Sequence, residues 1–172
     1  MIVLVGFMGA GKTSVGRALG RKLNWRFEDL DDRIEQREGR KIAEIFRESG
    51  EGEFRRSEHL ALREMLADLQ KEAGKVMALG GGAFVHQDNA ELLRNAGVPV
   101  IFLDAPVEEL WRRCCEQSGG AERPLLRSQE AFCELYEKRK SAYAVGSQRV
   151  ETSGRSVDEI AQEIADNLLG NC

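Results

Sequence analysis

Near the amino terminus, Gly6-Phe7-Met8-Gly9-Ala10-Gly11-Lys12-Thr13 fits the spacing G-x-x-x-x-G-K-[ST]. Glycines there let consecutive backbone N–H groups turn toward one anion, where a Cβ would obstruct the approach. Lys12 brings a positive charge for β- and γ-phosphates, and Thr13, followed by Ser14, brings a hydroxyl suited to Mg²⁺. The helix opening at this point aims its positive dipole end at the same anion. The segment is a phosphate cradle, with the backbone of Gly9, Ala10 and Gly11 around the anion; it implies a phosphate donor without naming a reaction.

Three further groupings carry chemistry. In "FEDLDDRIEQ", Asp29 and Asp31 leave a strand two residues apart, so both can face one way. One carboxylate can hold Mg²⁺ through its water shell while the other hydrogen-bonds a hydroxyl. The competing reading is an acidic helix start at Asp31 and Asp32, which the macrodipole favours by up to about 1 kcal/mol. Arg55 and Arg56 in "GEFRRSE" stand at the head of a long helix, where cations oppose the dipole unless an anionic ligand offsets the cost. Gly80, Gly81 and Gly82 follow the apolar run Val76–Leu79, at the carboxyl end of a strand, where open α/β sheets bind ligands.

The elements that position these groups follow from hydrophobic patterning. Short apolar runs at Ile2–Val5, Trp25–Phe27, Val76–Leu79, Val98–Leu103 and Arg149–Glu151 alternate with longer amphipathic stretches. That alternation predicts parallel strands with helical crossovers, an α/β fold in one domain spanning residues 1–172. Capping boxes at Asp88 with Glu91 and at Ser156 with Glu159 mark two helix starts. The last helix carries Ile160, Ala161, Ile164, Ala165 and Leu168 on one face, expected to pack on the sheet. The stretch "EQSGGAERPLLRS", Glu116 to Ser128, lacks periodicity and reads as a mobile loop.

A net charge of −4 from 25 basic and 29 acidic residues gives no footprint for nucleic acid or an anionic membrane, so an anionic ligand must be met by local arginines. Cys114, Cys115, Cys133 and Cys172 show no paired zinc spacing and read as reduced thiols, with no disulfide expected. No run approaches the ~20 apolar residues of a membrane span, and a cytoplasmic location is expected.

Taken together, the phosphate loop, Asp-x-Asp, "EFRRSE", "GGG", "RPLL" and the late arginine of "KRKSAY" resemble the shikimate kinases along practically the full length. The resemblance implies a five-stranded parallel sheet of the nucleoside monophosphate kinase type, and transfer of the ATP γ-phosphoryl group to the 3-hydroxyl of shikimate with Mg²⁺. It implies Lys12 and Thr13 for ATP and Mg²⁺, Asp29 for the metal, and Asp31 for the shikimate hydroxyls. Arg55 and Arg139 would bind the carboxylate, with Gly80 to Gly82, chiefly Gly81, donating backbone hydrogen bonds. Arg123 would lie in a lid over the phosphates, at about residues 114–127, while Arg113 and Arg155 would flank adenine. The acceptor would bind against residues 31–60, and the protein is expected to be a monomer. Three departures stand out: Thr13-Ser14 replaces Ser-Thr, Ser141 stands where the Arg-x-Pro-x-Tyr pattern has proline, and Ala144-Val145-Gly146-Ser147 follows Tyr143 where Ala-Asp is expected.

Two rival readings remain: another small-metabolite or nucleotide kinase, such as a gluconate or adenylate kinase, and a non-catalytic ATP-binding module. His59 and His86 are isolated and suggest no catalytic part.

Overall fold

The computed structural model describes residues 1–67, 74–117, 128–145 and 148–170. Its five strands are β1 (Ile2–Val5), β2 (Arg26–Asp29), β3 (Lys75–Ala78), β4 (Val100–Asp104) and β5 (Gln148–Glu151). They form one sheet in the order β2-β3-β1-β4-β5, and each adjacent pair is parallel. Val3 is in register with Met77 on one side and Val100 on the other, which places β1 at the centre. Parallel strands are covered on both faces by their crossover helices, which is why Ile2-Val3-Leu4-Val5 is apolar at every position and buried throughout.

The helices are α1 (Lys12–Leu23), α2 (Leu30–Glu38), α3 (Ile42–Ala67), α4 (Gln87–Asn95), α5 (Val107–Gln117), α6 (Gln129–Ala144) and α7 (Val157–Leu169). β2 and β3 lie on one side of β1 and β4 and β5 on the other, so the chain order reverses there and opens a crevice at the carboxyl ends of the strands. The β1–α1 loop sits in that crevice. Gly9 at φ 78° and Gly11 at φ 89° adopt left-handed conformations that few side chains tolerate. Gly11 caps α1 without any side-chain hydrogen bond, so the N–H groups of the first turn stay directed into the loop.

α3 is one helix in two limbs, broken at Gly50 (φ 78°, ψ 175°), so the arginines thought to head a long helix instead open its second limb. The predicted strand after α1 also shifts. Asp29 is the last residue of β2 and the N-cap of α2, while Asp31 lies in the first helical turn, so the pair does not leave on an extended segment. The acidic helix start and the acidic site are therefore the same structure. Ser156 and Glu159 do form a capping box at α7. Asp88 does not cap α4: the helix begins two residues earlier than such a cap would set it, with His86 as its N-cap and the carbonyl of His86 accepting from Asn89 and Ala90. The apolar face of α7 is buried in the common core, and the helix packs closely along α1.

Glu116 and Gln117 complete α5 and Ser128 N-caps α6, which shortens the expected loop at both ends. The rest of the expected lid, with Arg123, lies outside the described residues, as does Cys172. No helix among the described residues is long and apolar enough to cross a membrane.

Candidate active site

A cleft of about 590 Å³ opens at the carboxyl ends of β1, β2 and β3. The phosphate loop forms one end; Asp31, Arg55, Glu58, the triple glycine and Arg139 form the other. The ammonium of Lys12 lies over the loop and donates to the carbonyls of Gly6 (3.0 Å) and Phe7 (2.9 Å). Thr13 Oγ1 donates to Asp29 Oδ2 at 2.8 Å, and Asp29 Oδ1 accepts from the Asp31 N–H at 3.1 Å. One carboxylate thus caps α2 and meets the hydroxyl at the head of α1.

Asp31 is of another kind. Its carboxyl is pushed up to about 6, first by burial, then by Asp29 nearby, with Lys12 opposing. It lies against the triple glycine so closely that a Cβ at Gly80 would come within 2.7 Å of Asp31 Oδ1. A Cβ at Gly82 would stand 2.9 Å from Arg55 Nη2. A side chain at either of these two glycines would therefore displace Asp31 or Arg55 from its present position.

Arg55 is held from below. Its Nη1 donates to both oxygens of Glu58 at 3.0 Å, and its Nη2 reaches Glu51 Oε1 at 3.4 Å. The guanidinium lies over the Phe54 ring, 5.0 Å from its centroid, while Arg55 Nε is buried with no hydrogen-bond partner. Burial raises the Glu58 carboxyl while Arg55 opposes the shift. Arg56 points outward to Glu53 at 2.5 Å and takes no part in the cleft. On the far wall Arg139 Nη1 donates to the Gly81 carbonyl at 3.1 Å, and the same carbonyl accepts from the Tyr143 hydroxyl.

Of the residues expected near adenine, Arg113 bridges the loop and the segment after β5. It donates to Gly9 O (3.4 Å), Thr152 Oγ1 (3.0 Å) and Thr152 O (2.9 Å), and pairs with Glu109 at 2.7 Å. Arg155, between β5 and α7, reaches back to Glu151 O at 3.0 Å and forward to Glu163 of α7 at 2.6 Å. Neither lines the cleft. Sequence reasoning missed Glu58 and Tyr143; their spacing from Arg55 and Arg139, three and four residues on one helix face, was the available signal. It also gave His59 no part. His59 Nδ1 stands 2.9 Å from Asn89 Oδ1, and Asn89 Nδ2 donates to Ala83 O at 3.0 Å, bracing the turn after the triple glycine.

A second depression, lined by Arg17, Arg21, Arg26 and Trp25, lies at the opposite end of α1 and presents neither a carboxylate nor a hydroxyl.

Compared with known proteins, the chain matches the family model described as shikimate kinase over residues 8–169. It belongs to the shikimate kinase family. A shikimate kinase from Persephonella marina is 42% identical over 168 residues, covering 97% of this chain and 98% of its own. Among solved structures, a shikimate kinase from Acinetobacter baumannii in complex with shikimate superposes with a TM-score of 0.87 at 34% identity, covering 99% of this chain and 93% of that one. A gluconokinase from Sinorhizobium meliloti reaches a TM-score of 0.58 at 17% identity, covering 99% and 95% of the two chains, and shares the fold alone. Shikimate kinases and gluconokinase thus share one P-loop kinase architecture, and sequence identity separates them.

Proposed function

We propose that the chain transfers the γ-phosphoryl group of ATP to the 3-hydroxyl of shikimate, giving shikimate 3-phosphate. The observation that carries this reading is the acceptor end of the cleft. There a largely desolvated carboxyl, Asp31, and a guanidinium, Arg55, whose buried Nε lacks a partner, line the same cleft. A hydroxylated carboxylic acid answers both needs: its carboxylate takes the free donor of Arg55, and its hydroxyl meets Asp31. Membership in the shikimate kinase family supplies the identity of that acid.

The loop N–H groups and Lys12 hold the triphosphate; Arg139 joins Arg55 on the acceptor carboxylate, and the triple glycine offers backbone N–H donors beside it. Lys12 neutralises charge on the transferring group, and Asp31 orients the hydroxyl or accepts its proton. Phosphoryl transfer passes through a loose transition state that makes little demand on a strong base, so positioning supplies much of the rate. Arg113 holds the loop through the Gly9 carbonyl, a supporting position beside the nucleotide. Arg123 belongs to this reading as the lid arginine over the phosphates, outside the described residues.

The residues present fit Mg²⁺. Thr13 and Asp29 set two hard oxygen donors 2.8 Å apart at the head of α1, and the described residues hold no cluster of three or more His, Cys, Asp or Glu that would favour another metal. Magnesium keeps most of its waters and takes few protein ligands beside phosphate, which matches so sparse a set. When bound it supplies charge neutralisation on the phosphate oxygens.

An assay with ATP and shikimate, gluconate, AMP or pantothenate tests the function: turnover is expected with shikimate, and equal or faster phosphorylation of another acceptor would overturn it. Asp29→Asn is expected to raise the Mg²⁺ concentration for half-maximal activity while leaving shikimate affinity within about twofold. Asparagine caps helices as well as aspartate, so α2 keeps its start and the change isolates the charge. Calorimetric titration of shikimate beside a magnesium titration of activity checks it; weakened shikimate binding with an unchanged magnesium requirement would remove the metal assignment.

A further inference from the structure

The triple glycine is held by its carbonyl oxygens. Gly80 O accepts from the Ala83 N–H at 3.0 Å, and Gly81 O accepts from Arg139 Nη1 at 3.1 Å and from the Tyr143 hydroxyl. The described residues contain no cis peptide bond, and a planar trans peptide sets its C=O and N–H in opposite directions. A carbonyl fixed on one side therefore fixes the N–H on the other. Holding Gly81 O aims the Gly82 N–H, just as holding Gly80 O aims the Gly81 N–H.

Tyr143 is placed to do this from outside the cleft. It is fully buried, with its ring 5.3 Å from that of Phe102 on β4, and it is absent from the cleft lining. It follows Arg139 by four residues on α6, which runs unbroken through Ser141, so both side chains project from one face. Its hydroxyl and the Arg139 guanidinium meet on the same acceptor, the Gly81 carbonyl. One phenol thus ties together a peptide group and a cation that both line the acceptor end.

We propose that Tyr143 is a positioning residue of the acceptor site: without touching substrate, its hydroxyl sets the direction of the Gly82 N–H and the stance of Arg139, and through them the affinity for the acceptor carboxylate. The hydroxyl keeps its proton throughout the working range. Burial pushes it up to about 12, with Arg139 opposing, so it remains a donor to Gly81 O at every pH at which the enzyme is assayed. The effect belongs to acceptor binding, since the hydroxyl donates to the carbonyl of the glycine turn, at the end of the cleft that Arg139 also lines.

The proposal rests on the assignment of the cleft to shikimate, and Tyr143→Phe tests it, because the ring that packs on Phe102 is kept and only the hydroxyl is lost. The expected result is a KM for shikimate and a binary dissociation constant each raised about 3- to 10-fold, the range one hydrogen bond spans. The kcat should stay within about twofold and the KM for ATP should not move. Tyr136→Phe is the control for loss of a buried hydroxyl: that hydroxyl donates to Asp104 Oδ1 at 2.9 Å, and its removal is expected to lower the melting temperature without moving the shikimate KM. A double-mutant cycle separates positioning from general loosening. On an Arg139→Ala background, Tyr143→Phe should weaken shikimate binding by a smaller factor than in the unmodified enzyme, since the two act through one network. Losses that multiply, an unchanged shikimate KM in folded Tyr143→Phe, or a fall in kcat at constant KM would each overturn the proposal. If the variant melts too near the assay temperature for kinetics, a shikimate titration followed by thermal shift gives the dissociation constant, and an unweakened value there overturns it equally. Failure of the unmodified enzyme to bind or turn over shikimate would instead remove the functional reading beneath it.

Discussion

Asp31→Asn is expected to lower kcat by roughly 10²–10⁴-fold if the carboxylate accepts the proton of the attacking hydroxyl, the usual span of general-base contributions, and by much less if it only orients it. Asparagine keeps the size and one acceptor oxygen but loses the charge, so the two roles part at this substitution. The pH dependence is an independent check. With the Asp31 carboxyl at about 6 in the folded protein against an ordinary 3.8, kcat/KM should rise with pH through about 6 and flatten above 7. That rise should vanish in the variant.

Stability should run the other way. Between 3.8 and about 6 the folded state binds the proton more tightly than the unfolded chain, so the Asp31 contribution is full below pH 4 and is lost as pH rises through 6. At pH 8 the buried carboxylate costs about 1–3 kcal/mol, at roughly 1.4 kcal/mol for each pH unit of displacement. Asp31→Asn is therefore expected to be more stable than the parent at pH 8 and equal to it below pH 4, measured by urea denaturation at both pH values. A variant that turns over at the parental rate, or gains no stability at pH 8, would return "DLDD" to a charged helix start.

Lys12→Met is expected to reduce turnover by at least about 10²–10³-fold, the loss that accompanies removal of one preorganised group from a developing charge. Methionine approximates the length of the stem and removes the ammonium, along with its bonds to the Gly6 and Phe7 carbonyls. Those bonds contribute about 1 kcal/mol each, so the melting temperature should drop by a few degrees with the fold retained. On the proposed reading, shikimate affinity without ATP should be unchanged, since Lys12 lies at the phosphate-loop end of the cleft and Arg55 at the other. Retention of more than a tenth of the parental turnover, or a parallel loss of binary shikimate binding, would contradict this division of the cleft.

Periodicity and loop chemistry were local properties, and the sequence by itself determined whatever rests on them. The strand at Ile2–Val5 is legible because a strand buried on both faces must be apolar at every position. The phosphate loop is legible because its glycines, lysine and hydroxyl all act within eight residues. The capping box at Ser156 and Glu159 is legible because both of its hydrogen bonds close over three residues. Strand edges shifted by one or two residues, at β2 and β4 most plainly, because an edge is fixed by the neighbouring strand's hydrogen bonds and not by the residue's own preference.

Only the tertiary structure decided what depends on residues meeting from different elements. It brings Asp31 of α2 against Gly80, which desolvates the carboxyl and moves it to about 6; no local spacing encodes that shift. It gives Asp29 two partners, Thr13 across the cleft and its own helix start, so that an acidic N-terminus and a metal-competent oxygen pair coincide. It turns α7 onto α1 where an apolar face alone could only announce that something covers it. And it joins Arg139 and Tyr143 to the carbonyl of Gly81 from the other side of the sheet's central strand, a convergence of residues separated by about sixty positions in the chain that only the order of the strands brings into contact.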